Sequence, residues 1–278
     1  MADALKSAFT PLIGNIRALA GTFGLQRRLM FGTPALGFGS LNSFSLAFQT
    51  VPTVAVVAWI ASQTNDPIAI SYLALGGPLL TVWNITVFRT GWSLLGEIFE
   101  GTLDLALVSR TPLILVTLGK VGALATFSTL VGGTASILAY LAITGWVLEA
   151  EKLPLLAAAF IVATISLTAL AFVFAPVGVL MAGRPGFMNA IIPAGVVLSG
   201  FLYPIGVFPL AVQVIARLVP PAWAMDGTMA VLEGAPIGEI ATDFLIALLL
   251  SIIYVGLVYV SFVRVERRVR KTGALGTF

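Results

Sequence analysis

Neither cysteine nor histidine occurs anywhere in this 278-residue chain. Their absence excludes disulfides, thiolate and imidazole metal sites, haem ligation by either residue, and Ser-His or Cys-His nucleophile pairs. Charge is also scarce: only 10% of residues are Asp, Glu, Lys or Arg. The formal net charge of +3 is small for a nucleic-acid-binding surface, and the bases cluster at the ends of apolar runs, so membrane topology accounts for the basic pI near 9.4 and no nucleic-acid partner is expected. No G-x-x-x-x-G-K-[ST] phosphate loop is present, since "LGKV" at Leu118–Val121 lacks the earlier glycine and the hydroxyl. The chain is therefore not expected to hydrolyse ATP, and no metal or cofactor is expected in it.

Apolar sequence takes up the space that charge leaves. Hydrophobic residues make up 59% of the chain and the mean hydropathy is +1.04, which places it among all-α integral membrane proteins. The first 30 residues mix Lys6, Arg17, Arg27 and Arg28 with apolar positions and contain no unbroken h-region, so they read as mature structure. At 100° per residue Leu5, Phe9, Leu12, Ile13, Ile16, Leu19, Ala20 and Phe23 share one face. This periodicity predicts an amphipathic interfacial helix over residues 1–30, best formed from Thr10-Pro11 onward.

Apolar length and turn residues then divide residues 31–263 into six predicted spans. They run about Ala35 to Ser62, Ile68 to Arg89, within Leu113 to Val147, Pro154 to Ala182, Phe187 to Tyr203, and Ile240 to Val263. Lys120 marks where the third leaves the aqueous phase, and Gly76-Gly77-Pro78 and Pro176 are predicted kinks. In this topology Lys152 and Arg217 fall on one side and every other basic residue on the opposite side, including the tail "RVERRVRK" within 264–278. The asymmetry predicts cytoplasmic N- and C-termini in a multi-pass plasma-membrane protein. The Ala-, Gly- and Val-rich composition, which resembles that of high-GC bacteria, favours a bacterial inner membrane, with an archaeal membrane as the alternative.

Against this background "GEIFEGTLDLALVSRTP", Gly96 to Pro112, is unusually charged for its surroundings and falls in the predicted cytoplasmic loop between the second and third spans. On a helix, Glu97, Glu100 and Asp104 cluster opposite Leu95, Ile98, Phe99, Thr102, Leu103 and Ala106. Three carboxylates then face the cytosol, either solvated or meeting a basic partner. The stretch resembles the cytoplasmic loop of ABC-2 type exporter permeases through Glu97, Gly101, Thr102, Leu103, Asp104 and Pro112. Ile98 and Phe99 stand where many relatives have a basic and an acidic residue. The proline-punctuated region from Ser199 to Gly227, with Pro204, Pro209, Pro220 and Pro221, resembles the short re-entrant or extracellular helices between spans 5 and 6 of the same family.

The resemblance implies several further expectations. Glu97, Glu100, Gly101, Thr102, Leu103 and Asp104 form a coupling helix that touches a separate nucleotide-binding ATPase subunit, where ATP and Mg bind. A second permease subunit, same or homologous, completes the membrane unit. A cavity between the second and fifth spans makes Asn84, Asn189, Ser199, Phe201 and Tyr203 substrate-pathway residues. Uncharged walls favour an amphipathic or lipid-like cargo such as a drug, antibiotic, lipid or glycoconjugate. An ion-coupled secondary transporter and a non-transporting scaffold are the alternatives. The first is disfavoured because Asp243 is the only carboxylate near a predicted span.

Overall fold

A computed structural model describes residues 2–31, 67–99, 111–144, 149–180 and 193–272, together with isolated positions between 52 and 63. All regular structure among the described residues is helical. The elements are α1 (Ala2–Phe31), α2 (Pro67–Phe99), α3 (Leu113–Phe127), a π-helical turn (Ser128–Gly133), α4 (Thr134–Thr144), α5 (Leu153–Leu180), α6 (Leu210–Ala216), α7 (Pro220–Glu233) and α8 (Ile237–Thr272). Shorter 3-10 turns occupy Ala150–Lys152 and Ile205–Val207, and a helical turn covers 193–198.

Among the described residues four stretches are long and apolar enough to cross a membrane: Ile70–Val87, Leu113–Leu138, Leu153–Val177 and Ile237–Arg264. They match the second, third, fourth and sixth predicted spans. The first predicted span lies outside the described residues apart from isolated positions, and of the fifth only 193–203 is described.

One expectation, the start of α1, is corrected, and two helices run on beyond their predicted spans. α1 begins at Ala2 and continues through Pro11 instead of starting beside it, because the same apolar periodicity runs on both sides of the proline. α2 does not end at Arg89. It runs unbroken to Phe99, and at 1.5 Å per residue its 33 residues reach about 50 Å, well beyond a hydrocarbon core of about 30 Å. α8 likewise continues past Val263 to Thr272 and carries the basic "RVERRVRK" segment as helix.

α2 is the central element, packing most extensively on α5, with α5 on α8 and α7 on α8. A middle layer gathers Leu79, Val82, Trp83, Leu167, Phe201 and Met225. One end layer is built from Leu156, Val231 and Ile240, and the opposite one from Leu113, Phe172, Val258 and Phe262, where the Phe172 and Phe262 rings stack with centroids 5.7 Å apart. α5 and α8 therefore run the same way, and α3 runs against them.

Small residues set the closest approaches. A Cβ on Gly76 of α2 would lie 1.6 Å from the Phe201 carbonyl oxygen, and one on Gly195 would lie 2.0 Å from the Trp83 ring, so the 193–201 segment lies directly on α2. Gly132 and Gly133 in the π turn meet Thr81 and Ile85 of α2 and Phe160 of α5. The wider π turn places both glycines, and the Ser128 hydroxyl, on the side facing these helices. α1 packs along α3, where Gly119 receives Thr22 and Gly122 receives Phe23. The packed face of α1 is Ala18, Leu19, Thr22, Phe23 and Gln26, leaving Ile16 and Leu25 exposed.

Candidate functional site

The acidic motif begins on the last turn of α2. Glu97 lies on helical backbone continuous with the central layer; its side chain, and Glu100, Gly101, Thr102, Leu103 and Asp104, fall outside the described residues. The chain re-emerges at Thr111-Pro112, where Pro112 in extended conformation (φ −56°, ψ 132°) stands at the N-cap of α3. Proline suits this position, since a helix start leaves its first N–H groups without intrahelical acceptors. Thirteen residues, 100–112, thus link two long helices that both enter the bundle.

The five pathway residues occupy different environments. Asn84 is half-buried on α2, on a partly open stripe with Leu73 and Leu80. Tyr203 is exposed. Phe201 is closed off inside the central layer, its ring 6.4 Å from that of Trp83. Ser199 is also fully buried, and its Oγ has no hydrogen-bond partner among the described residues. Asn189 lies outside the described residues. The 193–203 segment and α2 are in direct contact, so Ser199, Phe201 and Tyr203 are brought to α2, with the first two turned inward.

The proline-rich region forms the short helices expected of it. Pro209 and Pro220-Pro221 open α6 and α7, and Gly234 at φ +72° closes α7 with Ala235 N–H donating to the Ala230 carbonyl at 2.9 Å. Arg217 and Asp226 form an ion pair in which the Arg217 guanidinium donates to Asp226 Oδ2. The same guanidinium lies 4.6 Å from the centre of the Trp223 ring, while Trp223 Nε1–H donates to the Arg217 carbonyl at 2.8 Å. Burial pushes the Asp226 carboxyl above its ordinary range, and the attraction of Arg217 opposes that shift. Tyr254 of α8 donates to the Leu218 carbonyl at 3.2 Å, and a Cβ on Gly227 would meet Phe244, so both helices are held on α8. At the far end of α7, Lys152 Nζ donates to the Leu232 carbonyl at 2.9 Å and pairs with Glu149 at 2.9 Å. This contact puts the start of α5 beside the end of α7, on one side of the bundle.

Sequence reasoning missed one feature, a cavity between α3, α5 and α8, because it arises from three segments far apart in the chain. Among the described residues no group of His, Cys, Asp and Glu is placed to hold a metal ion. Comparison with protein-family models, curated proteins and solved structures returned no match for the chain.

Proposed function

We propose that this chain is the membrane-spanning permease subunit of an ATP-driven exporter of the ABC-2 type. It has six spans with both termini cytoplasmic and is powered by a separate nucleotide-binding subunit that holds ATP and Mg. The observation that carries this reading is the "EIFEGTLDLALVSRTP" motif, at the point where the most buried spanning helix leaves the bundle and before the next one enters. α2 runs from the central layer into Glu97 without a break, so a displacement at the motif is delivered to Trp83, Val82 and Thr86 as movement of a rigid rod. Closure of the ATPase pair on ATP shifts the coupling segments, and the spans alternate between two arrangements that pass an amphipathic or lipid-like cargo outward. The chemistry of hydrolysis belongs to the partner; this chain supplies the path.

The test is affinity purification of the chain from its native membrane in mild detergent, followed by mass spectrometry and an ATPase assay. An ABC ATPase is expected to co-purify at one copy per permease. The Glu97→Lys/Asp104→Lys double variant is expected to insert normally and to lose the ATPase, because reversed charge repels a basic partner surface. A well-folded chain with no ATPase partner would overturn the proposal.

A further inference from the structure

α3 with its π turn, α5 and α8 stand apart along a groove that encloses about 720 Å³, within the roughly 300–1,000 Å³ usual for ligand clefts. Hydroxyl residues occur on all three walls, yet each hydroxyl bonds a carbonyl of its own helix, with Thr129 also meeting Thr164 at 3.3 Å and Ser251 meeting Ser166 at 3.4 Å. Thr126 donates to the Gly122 carbonyl at 2.8 Å, Thr129 to Ala125 at 2.7 Å, Thr164 to Phe160 at 2.8 Å, Thr168 to Thr164 at 2.6 Å and Ser251 to Ala247 at 2.7 Å. The groove therefore presents methyl and methylene groups, and no charged residue lines it among the described residues. A polar ligand would lose its hydration there without replacement hydrogen bonds.

The flanks are open: Leu130, Ile161 and Ile252 are 58%, 59% and 69% exposed. All three walls lie within the segments apolar enough to cross a membrane, so what reaches the open flank in a bilayer is lipid hydrocarbon. None of α2 and none of the 193–203 segment lines the groove, which separates it from the pathway residues.

The groove touches α1, which carries most of its charge as bases. Gly122 belongs to its wall, and a Cβ there would stand 3.7 Å from the Phe23 ring of α1. Arg27 follows Phe23 by one helical turn, and both Arg27 and Arg28 are exposed. In sequence α1 carries four bases, Lys6, Arg17, Arg27 and Arg28, and one acid, Asp3.

We propose that this groove is a binding site for a resident anionic phospholipid of the bilayer. One acyl chain lies between α3, α5 and α8, and the phosphate lies by the basic end of α1. The site goes beyond the exporter reading and does not depend on it, because occupancy is measured on the permease chain with neither ATPase nor flux.

The full chain is purified from nanodiscs holding equal phosphatidylglycerol and phosphatidylcholine of matched acyl chains, and retained lipid is read by native mass spectrometry. Phosphatidylglycerol is expected to be enriched on the wild-type chain. Thr168→Trp, which fills the groove, is expected to lower retention about tenfold. Leu257→Trp, on the opposite, exposed face of α8, is expected to leave it unchanged. Arg27→Gln/Arg28→Gln is expected to abolish the headgroup preference while lipid is still retained. Equal retention of the two lipids by the wild type, or undiminished retention by Thr168→Trp, overturns the proposal. Should Thr168→Trp fail to fold, a phosphatidylglycerol with a diazirine in its acyl chain decides on the wild type. Crosslinks concentrated in 118–130 and 161–172 support the site, and crosslinks spread evenly over the exposed faces overturn it. Release of the retained lipid when an assembled complex is given ATP would mark it as cargo and overturn residence.

Discussion

α2 and α8 are both long spanning helices, but they occupy opposite situations. In α2, 72% of the spanning segment is buried; in α8 only 22% is. The buried helix is the more polar one. α2 carries Thr81, Thr86 and Thr90 in fully buried positions, and Thr81 and Thr86 meet Ser136 and Ser128 at 2.9 and 2.8 Å. α8 instead turns Leu245, Leu249, Ile253, Leu257 and Val260 outward. In water the apolar helix would be the inner one. In hydrocarbon, lipid solvates leucine as well as protein does, whereas a hydroxyl finds a partner only against another helix. In this chain, position within the bundle follows polarity and small residues.

The sharpest way to break that contrast is Trp83→Ala. Trp83 is fully buried, edge-on to Phe174 at 6.2 Å and pressed against Gly195. Truncation is expected to cost about 3–5 kcal/mol and to loosen the 193–201 segment along with α2. Thermal unfolding in detergent, with limited proteolysis of that segment, checks both. A loss below about 1 kcal/mol would mean that the central layer is not where the fold holds α2.

Thr86→Val sharpens the contrast at the level of one bond. Ser128 Oγ donates to the Ala125 carbonyl at 2.9 Å, which leaves the Thr86 hydroxyl as donor to Ser128. Removing it is expected to cost about 0.6 kcal/mol, the average for such bonds in a membrane protein. A double-mutant cycle with Ser128→Ala isolates the coupling. Zero coupling would assign the seating of the π turn on α2 to Gly132 and Gly133 alone.

What was legible in the sequence follows the same physics. The spans with the most continuous apolar runs were placed to within a few residues: Pro154 to Ala182 against Leu153–Val177, and Ile240 to Val263 against Ile237–Arg264. Prolines marked the starts of α6 and α7 because their chemistry is local. Features that depend on a distant partner were not legible. The π turn answers to Thr81, Ile85 and Phe160, and α1 lies on α3 because Gly119 admits Thr22. Phe201 and Ser199 carried no sign of their inward orientation, which Gly76 determines from well over a hundred residues away. Of the acidic motif, the structure describes only the helical backbone through Phe99 and the Thr111-Pro112 end.

The smallest expected effect is that of Leu249→Ala on α8. Leu249 is 59% exposed, and its side chain points away from the rest of the bundle. In water such an exposed leucine would be nearly silent because solvent takes the vacated space; in a bilayer, lipid chains fill it, exchanging protein–lipid dispersion for lipid–lipid dispersion of similar strength. The change in stability is expected to stay within about 0.5 kcal/mol in bilayer nanodiscs, measured by the unfolding midpoint. The comparison with Trp83→Ala then becomes a measure of what each helix touches, since both variants remove only apolar atoms. A cost above about 2 kcal/mol would carry a different meaning. Leu249 would be packed against protein in the assembled state, and the outer face of α8 would then be a subunit interface in place of a lipid-facing wall.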